Sequence, residues 1–441
     1  MSRKWNIALL VLALLLLTGC SLQTIDSLYQ VPKRSDEYNN LQSAIDRNLG
    51  SRDYCAPQSG ENLQTVQMAD LDGDGEPEYL LFAKGVAEKP LQILIFRMED
   101  GEYVLADTIQ SHGFAFDVVE YARIDDRPGY ELIVGCQISN EVARSVSVYS
   151  FQDGKAISLM SANYTKFLTC DLNADGRSGL MVLRPGESDE AKGLAELYQY
   201  AGDTMERSNQ LSLSESADRL KRVFSGRLQG GQSAVFVASA AGENAIITDV
   251  FALVDGYFTN ISFSAESGTS QSTLRKYNVY AEDIDEDGIM ELPALISMRP
   301  TSSPSTSSMQ YLIRWYSLTP DGKEIDKLYT FHDFLGGWYL TMDNSWAGRV
   351  TIQKQGGGYE LHLRDENLSL EQKVLTVYYM PGTSSEELIV QSKRFVIYET
   401  DSALYAAELE ECAATYGITR ESVINSFHLI HQDWKTQEVS K

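Results

Sequence analysis

The sequence predicts a mainly β protein: a β-propeller of about five blades followed by a small α+β domain. Three observations carry this expectation. Short acidic loops recur along the middle of the chain at intervals of 53, 48, 56 and 56 residues. Each copy leads into an apolar run of strand length, and hairpin turns separate further strand-like runs within the repeats. Periods near fifty residues mark propellers and related arrays, and about four short strands per repeat is the content of one blade.

Residues 1–20, MSRKWNIALLVLALLLLTGC, place Arg3 and Lys4 before an apolar run, Ile7 to Leu17. That run falls short of the ~20 residues a spanning helix needs. It ends in Leu17-Thr18-Gly19-Cys20 and resembles a bacterial lipoprotein signal, in which the cysteine of a Leu-x-Gly-Cys box is lipidated and cleavage falls just before it. The resemblance implies a signal peptide over 1–19, lipidation at Cys20, and attachment to the membrane on its extracytoplasmic face. Loss of Arg3 and Lys4 would take the net charge from −25 to −27. Residues 20–62 read as a tether leading into the first blade, with a short helix around Tyr38–Leu49.

The repeats occupy residues 63–332. Their acidic loops read DLDGDGEPE from Asp70, DLNADGRSG from Asp171 and DIDEDGIME from Asp283. A degraded copy, RIDDRPGYE, starts at Arg123, and a fainter one at Arg227. Strand candidates follow each loop. Leu91–Met98 and Tyr103–Ile109 flank the turn at Asp100-Gly101, and Leu312–Leu318 and Ile325–Phe331 flank Asp321-Gly322. An Asp-Gly pair between apolar runs is a hairpin signal. Residues 300–308, PTSSPSTSS, read as a long loop inside the fifth repeat.

Chemistry is concentrated in the acidic loops. Asp70, Asp72, Asp74 and Glu78 stand at positions 1, 3, 5 and 9 of the first, with Gly75 at position 6; Asp283, Asp285, Asp287, Glu291 and Gly288 repeat this in the fifth. Alternate carboxylates let one tight loop aim several oxygens at a common centre. Carboxylates ~5 Å apart repel by roughly 3 kcal/mol at an effective dielectric near 20, so such a loop calls for a cation. A flexible all-oxygen set suits Ca²⁺ better than Mg²⁺, which demands stricter octahedral geometry. An EF-hand or dockerin needs an acid at position 12 and a following helix; here position 12 is Leu81, Val182 or Ala294, inside strand-like runs. The third loop keeps Asp171, Asn173 and Asp175 but has Gly179 at position 9, which weakens it. Arg123 and Arg127 in the second loop replace the cation's charge, and the fourth loop, with Arg227, Gln229 and Gly231, is expected to bind none.

The pattern D-x-D-x-D-G-x-x-E followed by a strand resembles the FG-GAP/VCBS-type repeats of integrin alpha-subunit propellers. That resemblance implies Ca²⁺ held between strands of a blade by side chains at positions 1, 3, 5 and 9 and a main-chain carbonyl at 7.

Residues 333–441 change character. Strand candidates are Trp338–Met342, Gly348–Lys354, Tyr359–Arg364, Val374–Tyr379 and Arg394–Glu399, with helices expected at Ser402–Thr415 and Arg420–Lys435, the second capped by Thr419. The element order is similar to a PsbP-type module.

At 441 residues the chain exceeds the ~250–300 at which single cores stop growing. With 62 acidic against 37 basic side chains it repels phosphate backbones, which excludes nucleic acid as a partner. Five cysteines without a C-x-x-C spacing exclude a disulfide-dense scaffold and a zinc site; Cys55, Cys136, Cys170 and Cys412 are left as pairs or free thiols. No G-x-S-x-G, phosphate-loop or H-E-x-x-H motif occurs. His428 and His431 could share a helix face, Asp401, Glu408, Glu410 and Glu411 read as a solvated helix face, and Trp315, Trp338 and Trp346 read as core before they read as a carbohydrate platform. The expectation is a lipid-anchored, Ca²⁺-stabilised binding or scaffold protein facing a surface protein or glycan. The alternative is a cell-envelope hydrolase acting on glycan or peptide with carboxylates in a propeller pocket, and a third option is a sensor or secretion accessory.

Overall fold

Apolar residues fill both faces of the second strand in almost every repeat, and that dictates how the sheets assemble. Successive side chains on a strand point to opposite faces. A continuous apolar run such as Leu80-Leu81-Phe82-Ala83 must therefore be covered on two sides. The computed structural model of the chain describes residues 36–138, 143–188, 191–298, 311–342, 344–365, 370–382, 393–430 and 434. Residues 1–19, Cys20, the 300–308 loop and His431 lie outside these.

Helix α1 (Asp36–Leu49) precedes six antiparallel sheets. The first holds β1 (Asp53–Tyr54), β2 (Val66–Ala69), β3 (Glu78–Lys84), β4 (Leu91–Glu99) and β5 (Glu102–Ser111); β1 and β2 pair with different stretches of β3. The second to fourth are four-stranded meanders: β6 (Ala115–Ala122) to β9 (Lys155–Tyr164), β10 (Lys166–Cys170) to β13 (Thr204–Ser212), and β14 (Leu220–Arg227) to β17 (Tyr257–Asn260). The fifth runs β18 (Glu291–Ser297), β19 (Tyr311–Leu318), β20 (Glu324–Asp333) and β21 (Trp338–Met342).

The sheets pack face to face in chain order. Leu80 and Phe82 meet Phe116, Leu132 and Val134 of the second sheet. Ile133 of the second meets Leu180 and Val182 of the third, Met181 and Leu183 meet Val235 and Val237 of the fourth, and Phe236 meets Leu292 and Tyr316 of the fifth. The outer face of the first sheet, Leu81, Ala83, Leu94 and Phe96, is covered by Leu41, Ala44 and Ile45 of α1. Among the described residues no core cluster joins the last sheet to the first.

The C-terminal region departs from expectation in three ways. Trp338–Met342, read above as opening a separate domain at 333, is the fourth strand of the fifth sheet, paired with β20 from Tyr329↔Met342 to Asp333↔Trp338. Its Trp338 indole buries against the sixth sheet with Phe331 and Tyr359, while Tyr339 packs on the opposite side with Trp315, so the strand is held from both sides. The sixth sheet comprises β22 (Val350–Gln355), β23 (Gly358–Arg364), β24 (Glu371–Pro381), β25 (Phe395–Thr400) and β26 (Ala403–Leu409), in the order β22-β23-β24-β26-β25. The helix expected over Ser402–Thr415 is instead β26 followed by a 3₁₀ turn, Glu411–Tyr416. Alanine-rich composition favours helix, but β26 lies between two strands and buries Ala403 to Ala407 on both faces; tertiary pairing overrides propensity. The second helix, α2 (Arg420–Ser426), starts at Thr419 with a Thr419–Ser422 capping box. It stops short of Lys435 because Phe427–Leu429 turns extended as β27 and pairs with Leu340–Trp338.

Candidate metal centres

The first four acidic loops join β2 to β3, β6 to β7, β10 to β11 and β14 to β15, and the fifth leads from the bridge of Glu282 to Glu291 into β18; the first, third and fifth share one backbone conformation. Position 4 is left-handed in the first, third and fifth loops (Gly73 φ 77°, Ala174 57°, Glu286 59°), and so is position 6 (Gly75 93°, Gly176 83°, Gly288 83°). Only glycine enters that region without steric cost, which accounts for Gly at position 6. In each of these loops the position 1 carboxylate folds inward and accepts the position 6 amide: Asp70 from Gly75 at 3.1 Å, Asp171 from Gly176 at 2.9 Å, Asp283 from Gly288 at 2.9 Å.

Position 9 carries the buried carboxylate. Glu78 is 3% exposed and accepts the Leu71 amide at 2.8 Å; Glu291 is 0% exposed and accepts the Ile284 amide at 3.1 Å. Glu131 of the second loop is 2% exposed and accepts the Ile124 amide at 2.7 Å, keeping the same contact in a loop where arginines replace the acids at positions 1 and 5. In the third loop, Gly179 leaves this place without a side chain.

Two triads result. Asp70, Asp72 and Glu78 bring one oxygen each to within 4.8 Å of one another, and so do Asp283, Asp285 and Glu291. Either triad could hold a metal ion. Asp74 and Asp287, predicted alongside them, stand outside these triads, and one oxygen of each caps the following turn, accepting the amides of Glu76 and Ile289 at 2.8 Å. Asp171, Asn173 and Asp175 form no such triad; Asp175 pairs with Asn173 at 2.8 Å and with Arg177 at 3.1 Å.

Burial dominates the electrostatics. It pushes Glu78 up to about 7 and Glu291 up to about 8, with Asp72 and Asp285 respectively adding repulsion. Asp72 and Asp285 are raised as well, chiefly by burial. A buried oxygen of Glu291 and one of Asp283 have no hydrogen-bond partner. A desolvated, unpartnered carboxylate is costly, so the donor set fits a hard cation.

The loops also stitch neighbouring sheets together. The position 1 carbonyl of one loop accepts the position 8 amide of the next: Asp70 from Tyr130 at 3.0 Å, Arg123 from Ser178 at 2.7 Å, Arg227 from Met290 at 2.9 Å. The first and second loops are so close that a methyl group on Gly129 would lie 2.2 Å from the Leu71 carbonyl oxygen. An ion in the first loop would thus order a seam between two sheets as well as its own turn.

One participant escaped sequence reasoning. Lys327 of β20 pairs with Asp287, with Asp285 at 3.8 Å and with Glu291 at 3.9 Å. Its signal is the strand register, which a sequence does not display. In the second loop the expected substitution of charge is seen: Arg127 pairs with Asp125 at 2.6 Å, and Ser150 completes that carboxylate at 2.9 Å.

The other candidates fall to structure. His428 lies on β27 and stacks on Tyr339 at 4.9 Å, not on a helix. Glu408 belongs to β26, and Asp401, Glu410 and Glu411 flank it, so these acids form no helix face. Trp315 and Trp338 are fully buried, and Trp346 packs against the core of the fifth and sixth sheets. The thiols of Cys55, Cys136, Cys170 and Cys412 are free.

No model of a known family matches the chain, and no curated protein does. Among solved structures the chain is similar to a Bacillus licheniformis rhamnogalacturonan lyase PL11, at 10% identity over 65% of this chain and 80% of that one, with a TM-score of 0.30. It is similar also to rhamnogalacturonan lyase YesW, at 12% identity over 73% and 74%, with a TM-score of 0.27. Likenesses this distant carry no argument about what the chain does.

Proposed function

We propose that the chain is a lipid-anchored, extracytoplasmic binding or scaffold protein. Its five repeat sheets act as propeller-type blades of the FG-GAP/VCBS kind, stabilised by Ca²⁺. The observation that carries this reading is the pair of acidic triads at equivalent places in the first and fifth sheets, each set in a loop of the same conformation. The inter-sheet hydrogen bonds from position 1 to position 8 support a repeat array, since equivalent loops meet in register. The helix over the outer face of the first sheet favours an array capped at that end. Ca²⁺ is the preferred ion because every side-chain donor is an oxygen and the loop offers more than one carboxylate. When bound, the ion would supply positive charge that lets Asp70, Asp72 and Glu78, or Asp283, Asp285 and Glu291, stay ionised while desolvated. The sixth sheet and α2 form the remainder of the proposed C-terminal unit, and the ligand would be a surface protein or glycan at the loops.

Two measurements test the proposal. Thermal melting of the protein should show a loss of several degrees in chelator, restored by Ca²⁺ and abolished by Asp72→Asn with Asp285→Asn. Labelled palmitate should enter the wild type in a bacterial host and not Cys20→Ala. A melt indifferent to chelator would overturn the ion, and unlabelled wild type would overturn the anchor.

A further inference from the structure

Resting on the calcium reading above, we infer that Lys327 is a built-in counter-cation of the fifth loop that a divalent ion must displace, while the first loop has no such competitor. Strand register separates the two loops. In the fifth sheet Leu292 lies opposite Tyr316, Tyr316 opposite Asp326, and Trp315 opposite Leu328. Lys327 is therefore the extra residue of a β-bulge in β20, where it pairs with β19. In the first sheet Tyr79 lies opposite Phe96, Phe96 opposite Leu105, and Ile95 opposite Asp107. The extra residue there is Ala106. A bulge redirects the side chain it carries, and the two bulges sit at the same place relative to their loops.

The consequences differ by one ammonium group. Lys327 has only 15% of its side chain exposed and pairs with Asp287. It brings one positive charge to Asp285, Asp287 and Glu291. It does not satisfy them all, because oxygens of Asp283 and Glu291 remain buried without hydrogen-bond partners. The fifth loop is thus held without an ion yet retains donors for one. Among the described residues no basic group comes within ion-pair distance of Asp70, Asp72, Asp74 or Glu78; Arg97, which acts on Asp72 at longer range, is paired with Glu99 at 2.7 Å. The second and third loops solve the same problem with Arg127 and Arg177, from within the loop. Of the loops with an acid at position 1, the first alone lacks a resident cation.

Calcium titration of metal-free protein by calorimetry tests this. The wild type should show two unequal sites, the tighter removed by Asp72→Asn and the weaker by Asp285→Asn. Lys327→Met should tighten the weaker site by about tenfold or more and leave the other unchanged, and Ala106→Lys should weaken the tighter one selectively. In chelator, Lys327→Met should melt below the wild type, since its loop loses the internal charge. Two sites of equal affinity that ignore Lys327→Met would overturn this inference and leave the calcium reading standing. Absence of heat and of calcium retention on dialysis in every variant would overturn both.

Discussion

Glu78 is the residue on which the first loop turns. Its carboxylate is buried, bonded to the Leu71 amide and raised to about 7 from an ordinary 4.5. Without an ion, the folded chain holds this proton more tightly than the unfolded chain. Stability in chelator is then fully present below pH 4.5 and falls as pH rises through about 7; Glu131 and Glu291, raised to about 7 and about 8, act in the same direction. With calcium the slope reverses over that window, because the ion requires the ionised form. Glu78→Gln keeps an acceptor for Leu71 but loses the charge. It should melt below wild type in calcium, and at or above wild type in chelator at pH 8. Differential scanning calorimetry from pH 4.5 to 8.5, with and without calcium, reads both slopes. The alternation of acids and the glycine at position 6 made these ligands legible in the sequence. The division of labour was not legible. Asp74 and Asp287 look equivalent to their neighbours in one dimension, yet they turn to cap the backbone.

At the scale of elements, the loop is a joint between sheets as much as a binding turn. Gly129 lies against the Leu71 carbonyl with no room for a methyl group, and its neighbour Tyr130 bonds to Asp70. Gly129→Ala should cost about 1–3 kcal/mol in urea unfolding, and the loss should appear even in saturating calcium, since it separates the sheets rather than the ligands. Gly75→Ala, where a methyl group would meet open space but φ is 93°, should cost less than a clash with backbone. Strand-loop-strand patterns were readable because hydrophobic runs and Asp-Gly turns are local signals. The failures lie where pairing is distant in sequence. Ala403–Leu409 reads as helix until β24 and β25 are placed on either side of it, and Phe427–Leu429 leaves α2 to reach β21, almost ninety residues earlier.

For the whole molecule, the order of sheets in space follows the order of repeats in sequence, and α1 closes one end. Its apolar side is small: Leu41, Ala44 and Ile45 cover Leu81, Ala83, Leu94 and Phe96. Ile45→Asp should expose that face, destabilise the chain by about 2–5 kcal/mol and promote self-association, visible as a rise in scattered light at concentrations where the wild type stays unchanged. The number of repeats was legible from their spacing. The neighbour of each sheet was not, because face-to-face packing is set by which side chains meet, and the period specifies only that something repeats. The proposed function stands or falls on alternate acids wrapping an ion at a seam between sheets. Anomalous diffraction from crystals grown in calcium tests it most directly. Calcium should give a peak ~2.3–2.6 Å from oxygens of Asp70, Asp72 and Glu78, with a second, weaker peak among Asp283, Asp285 and Glu291 where Lys327 has swung aside. A first loop free of any ion at saturating calcium would contradict it.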